Sequence, residues 1–321
     1  MKRWIKLGIY VGIAVSLVFA FSGCNAVSSV LGLSGTAKIA ITDSPVDASN
    51  VKGVYIKVDS VEFHRSDMAK DEFEEMPGFV GPKVYNLMDL TNGNSDMVGD
   101  LTLTAGRYTQ IRFMLDMPEV GKQAPATPGC YIEFSDGTTE PLFVPSGSKS
   151  GFKFTGSFDV PINGSVDITV DFDVRKSLVK RSDGTYILKP TTMHRIVVND
   201  QSGDIKGTVV NYTPSATGDY LIIYAYEDGT WNDTEDDPPA VDETRFPNAV
   251  TSCKIFTDET TGDLMYKLSF LAVGVYDLAV AEYDSTGAYV TTKGFVGDVK
   301  VESKTKTVEN IDMATLPTTL P

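Results

Sequence analysis

Three aspartates, Asp167, Asp171 and Asp173, recur at even spacings within residues 166–174. Side chains at i and i+2 of a strand lie about 6.6–6.8 Å apart. That falls inside the roughly 6.5–9.5 Å between the two carboxyls of an inverting glycosidase. Acid catalysis would need one of the pair to keep its proton near neutral pH, which takes burial or a crowding like charge. The neighbouring sequence instead supplies Arg175 and Lys176, which suit ion pairing with these acids. The reading is therefore of solvated or structural carboxylates, and no catalytic residue is assigned.

The stretch 227–243 holds eight acids and no base. Carboxylate and amide oxygens in a pliable segment are what Ca²⁺ takes. Asp228, Asn232, Asp233, Glu235 and Asp237 are the candidate calcium ligands, although the spacing is not that of an EF-hand and Pro238-Pro239 ends the run. The competing reading is a solvated, extended loop. Trp231 within it is a candidate contact for a sugar or a protein. Tyr220, Tyr224 and Tyr226 alternate, which puts them on one face of a strand as either a contact stripe or core. His64 and His194 stand near strand ends, where a transition-metal pair can arise by chance. No G-x-S-x-G elbow, phosphate loop, H-E-x-x-H or C-x-x-C occurs, so common hydrolase, nucleotide and thiol-redox chemistries have no foothold.

The elements that must position these residues are strands. Val166, Ile168, Val170, Phe172 and Val174 alternate with polar residues, predicting a half-buried strand with its aspartates toward water. Further strands are expected at 36–42, 51–63, 107–115, 131–134, 151–158, 186–188 and 194–198. Val54, Ile56 and Val58 share one phase while Val61 and Phe63 take the other, so a bulge is expected near Ser60. Asn92-Gly93, Asp136-Gly137, Asn163-Gly164 and Asp183-Gly184 mark tight turns. The best helical candidate is a short polar stretch at 66–75. Beyond residue 200, strands are expected at 205–211, 220–226, 264–271, 275–283, 289–295 and 304–310.

The expected fold is all-β, two β-sandwich domains in series after a lipoprotein signal peptide. The first would span 34–200 and the second 201–312, with an acidic insertion at 227–243 and a flexible tail at 313–321. Net charge supports the division, at -6 for residues 25–200 against -12 for the shorter 201–321. The whole chain of 321 residues carries -15, with a pI near 4.6. That balance argues against a nucleic-acid partner.

The N-terminus reads as an address. Met-Lys-Arg and Lys6 precede an uncharged run from residue 7 to 21, too short for a comfortable membrane span, which closes on Ser22-Gly23-Cys24. Residues 1–23 are read as a lipoprotein signal peptide, Cys24 as the lipidated first residue and 24–33 as a short linker. Asn25 is uncharged, so in a diderm the outer membrane is the expected location. Without residues 1–23 the chain has 298 residues and a net charge of -18. An anionic bilayer would repel it, and the acyl chains would have to hold it. Cys130 and Cys253 are then the two remaining thiols, a candidate disulfide in an oxidising compartment or two separate buried thiols.

Five runs carry a family resemblance: AKIAITDSP from Ala37, VYIKVDSVEFH from Val54, LTLTAGRYTQIR from Leu101, DFDVRKS from Asp171 and LKPTT from Leu188. Residues 34–198 thereby resemble the bacterial family of domain of unknown function 4382. The resemblance implies a β-rich extracytoplasmic domain, often in lipoproteins, and no activity. The runs GDIKGTV from Gly203 and YKLSFLAVGVYDL from Tyr266 make the second segment similar to carboxypeptidase-regulatory-like, transthyretin-like sandwiches, which implies an accessory module.

Together these readings lead to an expected lipid-anchored envelope protein with a noncatalytic binding or structural role toward a polysaccharide or another surface protein. It would need no cofactor beyond a candidate Ca²⁺. The alternative is an uncharacterised extracytoplasmic hydrolase acting on glycans or peptides. Asp171, Asp173 and Arg175 in a deep cleft would favour the hydrolase, and their exposure on a convex strand face the binding module.

Overall fold

The computed structural model describes residues 32–44, 50–116, 129–145, 147, 149–189, 195–240 and 243–320. The leader, Cys24 and His194 lie outside this range, as does Asp242 of the acidic insertion.

The chain is predominantly β-strand with little helix, in a sandwich-like arrangement. The N-terminal part is a single hydrogen-bonded path of strands. It runs from Leu178–Lys180 through Tyr186–Leu188, Thr139–Phe143, Tyr131–Phe134, Val51–Arg65, Gly106–Leu115, Phe152–Val160, Arg195–Val198 and Ser165–Asp171 to Ser34–Thr42 and Asp96–Thr104. One apolar core fills it, with Phe113, Phe152, Phe154 and Phe172 in mutual ring contact. The long strand Val51–Arg65 slips register between Val58 and Ser60, which lets Val54, Ile56 and Val58 share a core with Val61 and Phe63. The expected bulge near Ser60 is present.

Two smaller sheets form the C-terminal part. One contains Ser202–Val210 and Leu264–Ala272, the other Tyr220–Glu227, Gly274–Tyr283 and Tyr289–Val301. A second apolar cluster lies between them, joining Ile205, Tyr266 and Leu268 to Leu221, Ile223 and Val280. A third covers the other face of Tyr220–Glu227, where Tyr224 and Tyr226 meet Phe246, Ala249 and Trp231 from the segment after that strand. Tyr220–Glu227 is thus buried on both faces.

Four expectations change. Residues 66–75 hold no helix; turns lead into the two-residue strand Glu74–Glu75. The strand predicted to run through Val174 ends at Asp171, and Asp173 caps a one-turn helix, Val174–Ser177. Its polar face is also not a water face beyond Asp167, since Thr169, Asp171 and Asp173 are all buried. The tail docks as well: Phe295 N donates to Pro317 O at 2.8 Å, and Leu320 packs on the third cluster.

Candidate functional site: a sealed charged junction and an open groove

Asp171 closes its strand and Asp173 turns left-handed at φ 38° before the helical turn, a backbone state that aspartate tolerates better than most residues. The turn points Arg175 and Lys176 out of the N-terminal part and into the segment after the acidic insertion. Arg175 Nη1 donates to Arg245 O and Phe246 O, each at 3.0 Å, and Lys176 Nζ to Ala249 O at 2.7 Å. Asp173 lies 3.6 Å from Arg175 and 3.4 Å from Lys176, and Arg195 Nε donates to Asp171 Oδ2 at 2.9 Å. Across the same seam, the hydroxyls of Ser44 and Thr251 are 3.0 Å apart.

Burial governs the proton affinities in this cluster. It pushes the Asp43 carboxyl well above the usual aspartate range, against the Val174 N–H that bonds its Oδ1 at 2.8 Å. It raises Asp171 as well, with Arg195 opposing and Asp173 adding to the rise, and it lowers Lys176. Raised carboxyls are common at catalytic sites, but here Asp43, Asp171, Asp173 and Arg175 are all buried, and the space beside Asp43 and Asp171 has a volume of about 10 Å³, too small for a substrate. The structure thus provides neither the deep cleft nor the convex exposed face that sequence weighed. The acids sit in a seam between two parts of the chain. Asp43, which belongs to this cluster, was not singled out from the sequence although it stands in the AKIAITDSP run that carries the family resemblance.

The acidic insertion folds back over the outer face of the four-stranded sheet. Glu235 is turned inward, and its two carboxylate oxygens accept from Tyr226 Oη, Asn232 Nδ2, Asn248 N and Asn248 Nδ2. Four donors leave it little to offer an ion. Asn232 Oδ1 is likewise taken by Thr234 N and its hydroxyl, while Asp228, Asp233 and Asp237 are exposed. Among the described residues, no three His, Cys, Asp or Glu side chains group as a metal-holding cluster. His64 spends its ring on the Thr109 hydroxyl at 2.7 Å and Ala69 O at 3.2 Å.

The tyrosine stripe is core rather than contact surface. Tyr224 stacks on Phe246 at 4.1 Å and Tyr226 meets Trp231 edge-on at 5.1 Å; Tyr220 stays half-buried, stacked on Tyr283. Trp231 is partly buried and also meets Phe295 edge-on at 4.7 Å. A ligand could not reach Tyr224 or Tyr226 without displacing Phe246 and Trp231. The disulfide is also corrected: Cys130 and Cys253 are free and buried in separate clusters.

An open concavity lies at the far edge of the N-terminal sheet. It has a volume of about 480 Å³ and is lined by Phe134, Asp136, Glu140, Lys180 and Tyr186 among others. The hairpin Tyr131–Phe134/Thr139–Phe143 and the strand Tyr186–Leu188 place its aromatic pair, whose ring centroids are 5.7 Å apart. The Thr138 hydroxyl and N–H hold Asp136 below the usual aspartate range, so it is ionised and unsuited to donating a proton. Sequence reading marked Asp136-Gly137 and Asp183-Gly184 as turns but had no means of bringing the two turns together.

Residues 34–190 match a known family model. It is the domain of unknown function DUF4382. No curated protein sequence matches the chain. Among solved structures the chain is similar to the TIE protein of Bacillus anthracis, at 12% identity and TM-score 0.19, covering 87% of this chain and 34% of that one. It is also similar to the minor pilin GBS52 of Streptococcus agalactiae, at 10% identity and TM-score 0.19, over 86% and 94% of the two chains. A third is the shaft pilin SpaA of Lactobacillus rhamnosus GG, at 10% identity and TM-score 0.18, over 86% and 98%. Superpositions this loose carry no argument about role. Among the described residues no helix is long and apolar enough to cross a membrane.

Proposed function

We propose that the chain is a noncatalytic contact protein of the cell envelope, tethered by acyl chains on Cys24. Its two β-sandwich units, 34–200 and 201–312, are joined through the charged seam, and its groove at Phe134 and Tyr186 takes up polysaccharide. The second unit keeps its reading as a transthyretin-like accessory module. One observation carries the noncatalytic choice: the raised carboxyls of Asp43 and Asp171 are buried in the seam, whereas the open groove offers aromatic rings, hydroxyls and the ionised Asp136. Rings beside polar groups suit stacking on sugar faces and hydrogen bonding to their hydroxyls. The sheets supply the frame and the turns around the groove supply the contacts.

The test is a glycan and surface-protein binding screen of the full-length chain, with Phe134→Ala and Tyr186→Ala in parallel. Retention on a polysaccharide that both substitutions weaken by about tenfold or more supports the reading. Cleavage of a polysaccharide or peptide, with no retention of any ligand, defeats it and restores the hydrolase.

A further inference from the structure

The seam encloses a second, much smaller space. A cavity of about 10 Å³, enough for one water-sized particle, is walled by Thr42, Asp43, Asn92 and Asp171 from the N-terminal part and Ser252 and Ser269 from the C-terminal part. Five oxygens on this wall are buried without a hydrogen-bond partner: Asp43 Oδ2, Asn92 Oδ1, Asp171 Oδ1, Ser252 Oγ and Ser269 Oγ. The side chains bearing four of them are more than nine-tenths buried, at 5% exposure for Asp43, 3% for Asp171, 4% for Ser252 and 8% for Ser269. Buried polar groups left unpaired are rare and costly. Five facing one small space point to something held between them.

Charge and chemistry select the occupant. Asp171 pairs with Arg195, and Asp173 with Arg175 and Lys176, but among the described residues no cation pairs with Asp43. Lys267, a cation on the wall itself, lies 3.5 Å from Asp204. With Asp43 ionised, a water molecule could donate to two of the three acceptor-only oxygens and accept from both serines, leaving one acceptor unmet and the Asp43 charge uncompensated. A hard cation satisfies all five oxygens at once and neutralises the acid. With no nitrogen or sulfur among these oxygens, the set suits calcium rather than a transition metal.

We infer that this cavity is a calcium site joining the family-matching segment to the C-terminal sandwich, with Asp43, Asp171, Asn92, Ser252 and Ser269 as its ligands. The Asn92-Gly93 turn is pressed onto the partner sheet at this point: a Cβ on Gly93 would lie 2.3 Å from Ser269 Oγ. Asn92 and Phe270, on opposite walls, both hold left-handed backbone, at φ 57°. Two carboxylates are a modest charge complement, so the expected Kd is about 10⁻⁴–10⁻³ M, the range of extracellular calcium modules. Supply of calcium at that level rests on the extracytoplasmic reading, whereas binding itself does not.

The experiment is thermal melting and isothermal titration of the full-length chain, stripped with EGTA and then titrated with CaCl₂ to about 10 mM, with NaCl at matched ionic strength. The expected result is a Tm rise on the order of 5 °C near saturation. It should be lost in Asp43→Asn and in the milder Ser269→Ala, and kept in Asp233→Asn/Asp237→Asn, which alters only the exposed insertion. No calcium response in the unaltered chain overturns the inference. So does an equal response to sodium, or a response that follows the insertion variant and survives Asp43→Asn and Ser269→Ala. The glycan screen reads neither arm, so the two proposals fail separately.

Discussion

Arg175 Nη1 donates to the backbone carbonyl of Phe246 at 3.0 Å, across a separation of 71 residues. The same guanidinium reaches Arg245 O and lies over the Tyr224 ring at 5.4 Å. Phe246 itself stacks on Tyr224 and holds left-handed backbone at φ 58°. A single buried cation thus spans the family-matching segment and the segment that caps the C-terminal sheet. Arginine suits this place because its planar fork keeps several donors in fixed directions.

Arg175→Ala would strip donors from these buried carbonyls and leave Asp173 with Lys176 as its remaining ion partner. A cost of about 3–5 kcal/mol is expected, seen as a Tm fall on the order of 10 °C. Calorimetry should also resolve the single transition into two as the parts uncouple. Arg175→Lys should lie between the alanine variant and the unaltered chain. A single unshifted transition in Arg175→Ala would remove the seam from the account.

Glu282 predicts an acid limit to stability. Burial alone would raise this carboxyl, but the Ser215 hydroxyl and N–H, Lys293 and Tyr212 outweigh it and hold it below the usual glutamate value of 4.5. A lowered folded-state pKa means that the stabilisation is present above the unfolded value and lost as pH falls through the folded one. Melting temperature followed from pH 7 downward should therefore drop below about pH 4.5. In Glu282→Gln the neutral-pH stability should be lower by about 1–3 kcal/mol, and the acid slope shallower.

Cys130 and Cys253 should behave as inert thiols. Burial pushes them up to about 11 and about 12 respectively, so almost no thiolate exists at neutral pH. Iodoacetamide followed by peptide mass mapping should label neither in the native chain and both in denaturant, with no change on prior reduction. A reduction-dependent signal from a Cys130–Cys253 peptide pair would contradict the free-thiol arrangement.

Cys24→Ala should abolish incorporation of labelled fatty acid and leave the chain in the soluble extracytoplasmic fraction. Unchanged incorporation would end the lipid-anchor proposal without touching the fold.

Strand placement was legible from the residues alone where it depends on local sterics and alternation. The phase switch at Ser60 between Val58 and Val61 announced the register slip that the structure contains, and Asp136-Gly137 announced its hairpin turn. The fate of the polar phase was not legible. Alternation separates apolar from polar positions, yet Asp171 and Asp173 are covered by residues that arrive from far along the chain, as in the Ser44–Thr251 contact across 207 positions. The tyrosine stripe was ambiguous for the same reason, because what lies over Tyr224 and Tyr226 is Phe246 and Trp231, from the segment after the same strand. Alternation is a property of neighbours and can be read in order along the chain. Which face then meets water depends on nonlocal packing, and only the tertiary structure decided it.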